Sequence, residues 1–394
     1  MALSLAWIVL LGMLFHSVFR KIGLPGLLGL LLLGVLGGPY GFNFIDEQVI
    51  EISADLRKVA LIVILLRAGL GIKRETLNQV GVNALKLSFI PCVMEGMAIM
   101  AAAYYFFHYS FLEAGMLGFI IAAVSPAVIV PSMLRFIETG KGEKKGIPTM
   151  ILAGASLDDV VAITFLTAFI GIYGGSQVAL WQQFLSIPIA IITGLILGLA
   201  VAMILIMFFN RLDIRNTKKT LMLVGAGILM TGIEDALQSL LPVASLIGIM
   251  FVGFILLERK PDVASALSSK MNKVWVLAEI ILFTMVGAVV NIPLALEAGL
   301  TGMILIGLGL AARSIGVFFS LSGKLFSARE RLFCVVAYTP KATVQAAVGA
   351  LPLAAGAPMG EEILAFAVLA IVLTAPVGAW LIQWGGESLL EGKQ

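Results

Sequence analysis

Thirteen stretches of mostly apolar residues fill this sequence, and no other feature limits its possible folds as tightly. They lie at about 3–19, 24–40, 56–72, 81–106, 112–134, 147–173, 183–209, 217–239, 242–257, 274–291, 296–322, 331–353 and 362–385. A helix needs roughly 20 such residues to cross the hydrocarbon of a bilayer. None of the stretches alternates with period two, so the pattern favours helices over a β-barrel. The expected fold is an all-α polytopic membrane protein of about 13 transmembrane helices. No stretch is left for a soluble domain, and the longest loop is 41–55. Charged residues are only 12% of the chain, which excludes a soluble enzyme and a disordered protein. The net charge of +3 includes no basic block able to neutralise a nucleic-acid backbone. Cys92 and Cys334 both sit in apolar stretches and read as small buried residues.

The basic residues assign a direction to the spans. Twenty of the 26 Lys and Arg fall in the odd-numbered loops or the tail. They are Arg20, Lys21, Lys73, Arg74, Arg135, Lys141, Lys144, Lys145, Arg211, Arg215, Lys218, Lys219, Arg259, Lys260, Lys270, Lys273, Lys324, Arg329, Arg331 and Lys393. The even loops hold only Arg57 and Lys58, at the foot of an acidic loop. By the positive-inside rule the odd loops and the C-terminus are cytoplasmic and the N-terminus is external. No positive charge precedes the first apolar run, so a signal peptide is not expected there. Arg67 and Lys86 lie near cytoplasmic span ends and read as snorkelling anchors.

The two ends of the chain resemble each other. Leu24-Pro25 recurs as Leu241-Pro242, and Gly29 and Gly34 as Gly248 and Gly253. Ser125-Pro126 recurs as Thr339-Pro340, and Glu95 matches Arg313. Each match is weak alone. Together they predict a six-helix repeat, about 1–173 and 217–385, joined by a linker helix at about 183–209. The odd span between the copies inverts the second, a signature of secondary transporters. Pro126 and Pro131 in span five, and Pro340 beside Lys341 in span twelve, interrupt helices at membrane depth. An ordinary proline kink is the plainer reading of either alone. Their matching positions favour two discontinuous helices crossing at a site. Lys341 would offset the carbonyl ends there, and a carboxylate the amide ends.

Asp158 and Asp159 lie near the middle of span six. Each charged Asp at a helix centre costs about 2.5–3.5 kcal/mol on insertion scales, so a purely structural polar cluster is a poor account of two. Neighbours on a helix diverge by about 100°, so the two carboxylates point differently. Ser156 shares the face of Asp159, and that face is expected to look toward broken span five. Asp159, Asp158, Ser156 and Ser125 then offer hard oxygen ligands to a small cation. A site that takes either a proton or a metal cation has the chemistry of an antiporter. Glu95 and Arg313 read as a buried ion pair. Glu279, Glu234 and Asp235 read as interfacial, the last two as candidates to line an outer funnel. No nucleotide-binding, haem or zinc motif occurs, and no cofactor is expected.

The run GASLDDVVAIT resembles the Asp-Asp motif of the cation:proton antiporter superfamily. YTPKATVQAA and LLRAGLGI resemble motifs of its NHA-type sodium/proton antiporter branch, and the resemblance spans essentially the whole chain. It implies a homodimer with a dimerisation domain and a core that moves as an elevator. Asp159 would be the main cation and proton carrier and Asp158 its neighbour. The Ser125–Pro126 backbone, Pro340, Lys341 and Thr343 would support the crossing, and Glu95–Arg313 would be the branch's ion pair. Many Asp-Asp members that exchange two protons per sodium carry a lysine on the span that here holds Arg313. The arginine departs from that pattern and counts against two-proton exchange.

The function expected is exchange of sodium or lithium for protons in a cell (inner) membrane, with no enzymatic activity and no nucleic-acid partner. The alternatives are a potassium/proton antiporter or channel-like cation efflux protein on the same fold, and sodium-coupled symport of an organic anion. The adjacent aspartates would repel an anion.

Overall fold

Helices make up every regular element among the described residues, which in this computed structural model are 1–22, 24–174, 180–211, 214–237, 240–323 and 325–391. Lys324, Lys393 and the predicted end of span eight, 238–239, lie outside them. The helices are α1 (Ala2–Lys21), α2 (Gly26–Gly37), α3 (Glu47–Glu51), α4 (Ser53–Gly69), α5 (Arg74–Phe106), α6 (Phe111–Ala122), α7 (Pro126–Thr139), α8 (Ile147–Tyr173) and α9 (Leu180–Arg211). They continue with α10 (Asn216–Leu237), α11 (Ser245–Arg259), α12 (Pro261–Ala288), α13 (Ile292–Glu297), α14 (Gly299–Ser320), α15 (Ala328–Ala337), α16 (Thr343–Val348), α17 (Leu351–Ala354) and α18 (Gly360–Ser388).

Nine helical segments among the described residues are long and apolar enough to cross a membrane, the α6–α7 pair counting as one. The other four predicted stretches correspond to shorter helices: α2, α4, α11 and the interrupted α15–α17. Two helices outrun their apolar stretches. α5 begins at Arg74 rather than 81, and α12 at Pro261 rather than 274. The 33 residues of α5 rise about 50 Å, well beyond a hydrocarbon layer of about 30 Å. Hydropathy registers only the part in lipid, whereas a polar turn continues the helix beyond it. The loop expected over 41–55 contains α3, which Asp46 starts by accepting a hydrogen bond from the Gln48 amide.

α5 packs against α14, α8 and α6, and α18 closes on α7, α15 and α16. A second group forms where α12 meets α2 and α4, and α11 meets α9 and α4. The broken pair α6–α7 is the inner element: 89% of its apolar window is buried, against 17% for α1. Two crossings in the second group need glycine. A Cβ on Gly34 would run into the Thr284 carbonyl of α12, and one on Gly69 into the Met250 carbonyl of α11. Gly287 and Gly253 face them from the partner helices. These are the close backbone approaches by which helices pack in lipid.

The broken helices start alike. Ser110 and Glu113 form a capping box on α6, and Ser327 and Glu330 form one on α15. Each glutamate also reaches the start of another helix. Glu113 accepts from the Met359 amide at the head of α18 (3.0 Å), and Glu330 from Lys145 just before α8 (2.7 Å).

Glu330 stands at the foot of α15, outside the predicted span. Burial pushes its carboxyl up, but Lys145 and the Ser327 donors outweigh burial and hold it below its ordinary value of 4.5. A depressed folded value stabilises above the ordinary one, and the contribution fades as pH falls through the folded value. Glu330→Gln is therefore expected to lower stability at about pH 7 by roughly 1.5–3 kcal/mol. That deficit should shrink as the pH falls below the ordinary value of 4.5 and through the lower folded one, read as melting of the detergent-solubilised protein.

Candidate functional site

Two interrupted helices meet inside the protein. α6 stops at Ala122, the chain runs extended through Ala123 and Ser125, and α7 resumes at Pro126. α15 stops at Ala337, and α16 begins at Thr343 after a non-helical segment that contains Pro340 and Lys341. The breaks are tied together. The Ser125 amide donates to the Pro340 carbonyl (2.8 Å), and the Ser125 and Thr343 hydroxyls lie 3.3 Å apart.

A helix end at this depth leaves carbonyls that water cannot reach. Three side chains from the other half of the chain cover those of α6. Gln345 Nε2 donates to Ile120 O (2.9 Å) and Ala123 O (2.8 Å). Arg313 Nη2 donates to Ala122 O, and Lys341 Nζ approaches the same oxygen at 3.4 Å. Two cations thus sit at the negative pole of α6, where the helix dipole favours them.

Two carboxylates neutralise those cations. Glu95 Oε2 on α5 accepts from Arg313 Nε and from Lys341 Nζ (2.7 Å). Asp158 Oδ1 on α8 accepts from Arg313 Nη1 (3.2 Å), and its Oδ2 from the Val124 amide in the first break (3.0 Å). None of the four side chains is more than 1% exposed. Thr374 on α18 accepts the Lys341 amide at 2.8 Å, and the Arg313 guanidinium lies 5.8 Å above the Tyr338 ring.

Asp159 is different. It is 5% exposed, its Oδ1 has no hydrogen-bond partner, and among the described residues it is in no ion pair. It lines a cavity of about 500 Å³ between α8, α9, α10 and α11, together with Ser156, Thr164, Thr167, Glu234 and Asp235.

The structure therefore brings Glu95, Asp158, Arg313 and Lys341 into one cluster, and Ser125, Thr343 and Pro340 into the crossing beside it. It corrects the expected direction of two side chains. Asp158, not Asp159, meets the break in span five. Ser156 does share the cavity with Asp159, but that face looks toward α11: its hydroxyl donates to Leu152 O (3.0 Å) and lies 3.8 Å from Met250 Sδ. The divergence of adjacent helical residues fixes that the aspartates part but not which one faces the break. Ser125 Oγ is engaged with Thr343. The Gln345 bonds to α6 were not anticipated. The signal was a buried amide two residues past a threonine in a proline-broken span, and only the crossing shows which carbonyls it meets. Arg67 pairs with Glu138 at 3.0 Å, and Lys86 is exposed.

Two broken helices crossed around a membrane-embedded charge cluster define a transporter, not an enzyme. Residues 6–384 match the family model described as sodium/hydrogen exchanger, transmembrane, and the chain belongs to that family. It is 31% identical over 386 residues to sodium/hydrogen exchanger 9B2 of Mus musculus, covering 93% of this chain and 69% of that protein. It is likewise 31% identical over 390 residues to sodium/hydrogen exchanger 9B1 of Homo sapiens, covering 93% and 73%. The solved structure of the sodium proton antiporter MjNhaP1 from Methanocaldococcus jannaschii at pH 8 shares the fold. Its TM-score is 0.78 at 19% identity, over 98% of this chain and 97% of that one.

Removing one member of the cluster leaves a buried charge without its counterion, which costs about 3–5 kcal/mol. Glu95→Leu or Arg313→Leu is expected to lower the melting temperature in detergent sharply. The double variant retains Asp158 and Lys341, one charge of each sign, and should melt above either single variant. A double variant that melts below both would show that the cluster is not held by charge balance.

Proposed function

We propose that this protein exchanges one sodium or lithium ion for one proton, with Asp159 as the group that carries either. Charge balance in the cluster carries the reading. Glu95 and Asp158 match Arg313 and Lys341 sign for sign, so the four buried charges sum to zero. Asp159 is the fifth charge, buried without an ion-pair partner among the described residues and open to a cavity. A carboxylate in that position must hold a proton or a cation to be tolerated at membrane depth. Competition between the two at one carboxylate couples the fluxes. Asp158 is the neighbouring wall of the site, fixed by Arg313 and the Val124 amide, and is not a second carrier. Ser156, which lines the same cavity, supplies a further oxygen.

We also propose the architecture that would move this site. The same offset of 218 residues separates Glu95 from Arg313 and Ser125 from Thr343. Nearly the same offset separates the two capping boxes, which supports inverted repeats at about 1–173 and 217–385 with a linker helix at about 183–209. The group built on α5–α8 and α14–α18 would translate against the group built on α1, α2, α4 and α9–α12, in a homodimer. The cavity along their seam supports that division. The charge bias of the loops supports a cytoplasmic C-terminus in a cell membrane.

A core that carries Asp159 with sodium one way and with a proton the other way moves no net charge. Each uncompensated charge would gain or lose about 2.3 kcal/mol per 100 mV. In proteoliposomes with an imposed pH gradient, sodium or lithium is expected to evoke proton flux that Asp159→Asn abolishes, at a rate unchanged by clamped membrane potential. Voltage-driven flux would show that a second proton is carried. Flux evoked by potassium alone would move the assignment to a potassium/proton antiporter.

A further inference from the structure

The cavity that ends at Asp159 has a second acidic wall. Glu234 and Asp235 are consecutive near the end of α10, and both line it. Their surroundings differ. Asp235 has a side chain 64% exposed and pairs with Lys58 of α4 at 2.8 Å. Glu234 makes no ion pair among the described residues. Its Oε2 accepts from the hydroxyl of Ser245, the fully buried first residue of α11. The N-terminal pole of α11 favours an anion at that point. Glu234 is thus fixed in position on the seam of α10 and α11.

Asp159, nine-tenths buried with an unpartnered oxygen, lines the same chamber. α8 also presents Thr164 and Thr167 to this chamber. Thr164 donates its hydroxyl proton to Val160 O (2.6 Å), and Thr167 to Thr164 O (3.0 Å). With the protons spent on the helix backbone, both oxygens are left as acceptors. From Asp159 to Thr167 the helix rises about 12 Å. The chamber therefore holds carboxylates and cation-accepting hydroxyl oxygens together, the donor set preferred by a hard monovalent cation.

We propose that Glu234 forms an outer binding site for the transported cation, distinct from Asp159 and occupied before it. Lys58 acts as a resident counterion on Asp235. It leaves Glu234 without an ion pair among the described residues and keeps the ion from being held too tightly there. The inference rests on the antiport reading above.

The test is sodium-evoked proton flux in right-side-out and inside-out vesicles, read as the sodium concentration giving half-maximal rate. Glu234→Gln is expected to raise that concentration about fivefold when sodium chloride is added on the cavity side. From the opposite side the change should stay below about twofold. Lys58→Ala frees Asp235 and is expected to lower it on the cavity side, the opposite sign. It also supplies an independent arm if Glu234→Gln does not reach the membrane. Glu297→Gln alters an exposed carboxylate outside the cavity and should change neither. An unchanged value in Glu234→Gln, an equal rise from both sides, or a rise in Lys58→Ala would overturn the outer site. Absence of sodium-evoked flux in the wild type would instead overturn the antiport reading and this inference with it.

Discussion

The Ala122 carbonyl is the group on which the centre of this structure depends. Interrupting α6 inside the membrane leaves backbone acceptors where no water reaches, and each must find a donor within the protein. Arg313, Lys341 and Gln345 are those donors. Two of them are cations, so covering the helix end brings two positive charges to membrane depth. Glu95 and Asp158 follow as the required counterions. One backbone break thus accounts for four buried charges, and it leaves Asp159 beside them without an ion-pair partner among the described residues.

The long helices are shaped to let this cluster close. α14 approaches α5 along Gly309 and Gly316. A Cβ on the first would press on Ile99 and Glu95, and one on the second on Pro91. That approach seats the Arg313 guanidinium against the Glu95 carboxylate. The far ends of the broken helices are fixed in turn by Glu113 and Glu330, which join each helix start to the start of α18 or to the loop before α8. The site is therefore held at its centre by charge and at both faces by neutral or charge-assisted hydrogen bonds.

Much of the fold was legible because lipid imposes a simple rule on sequence: a long apolar run is a helix, and prolines at matching positions of two such runs mark breaks. The same rule hid the polar extensions of α5 and α12 and the short α3, since those turns lie outside the hydrocarbon and follow local capping instead. At the site, the residue types Glu95, Asp158, Asp159, Arg313 and Lys341 stand out in sequence because charge is rare in apolar runs. Their pairing is not legible there. Lys341 is bonded to Glu95, 246 residues away, and whether Asp158 or Asp159 turns to the break depends on a helix rotation set by tertiary packing. The matched capping boxes are legible as Ser-x-x-Glu but lie at span edges, outside the apolar interiors in which the repeat shows.

The identities of the two cations give the cluster a further consequence. An arginine keeps its charge under all physiological conditions, whereas a lysine exchanges its proton once it is deprived of a partner. Arg313 is the residue that touches both carboxylates and the helix end, so the permanent charge sits at the hub. Lys341, the weaker holder of charge, is confined to Glu95 and Ala122 and does not bond Asp158. The hub consequently pins Asp158 whatever occupies Asp159, and binding of sodium or a proton next door need not disturb the frame. On the proposed exchange this separates two tasks that adjacent aspartates would otherwise share: Asp158 keeps the crossed helices closed, and Asp159 alone changes its load. A lysine at position 313 would couple the tasks, because a second group could then release its proton when the cation arrives. The choice of arginine there is the physical basis for expecting one exchangeable charge per cycle.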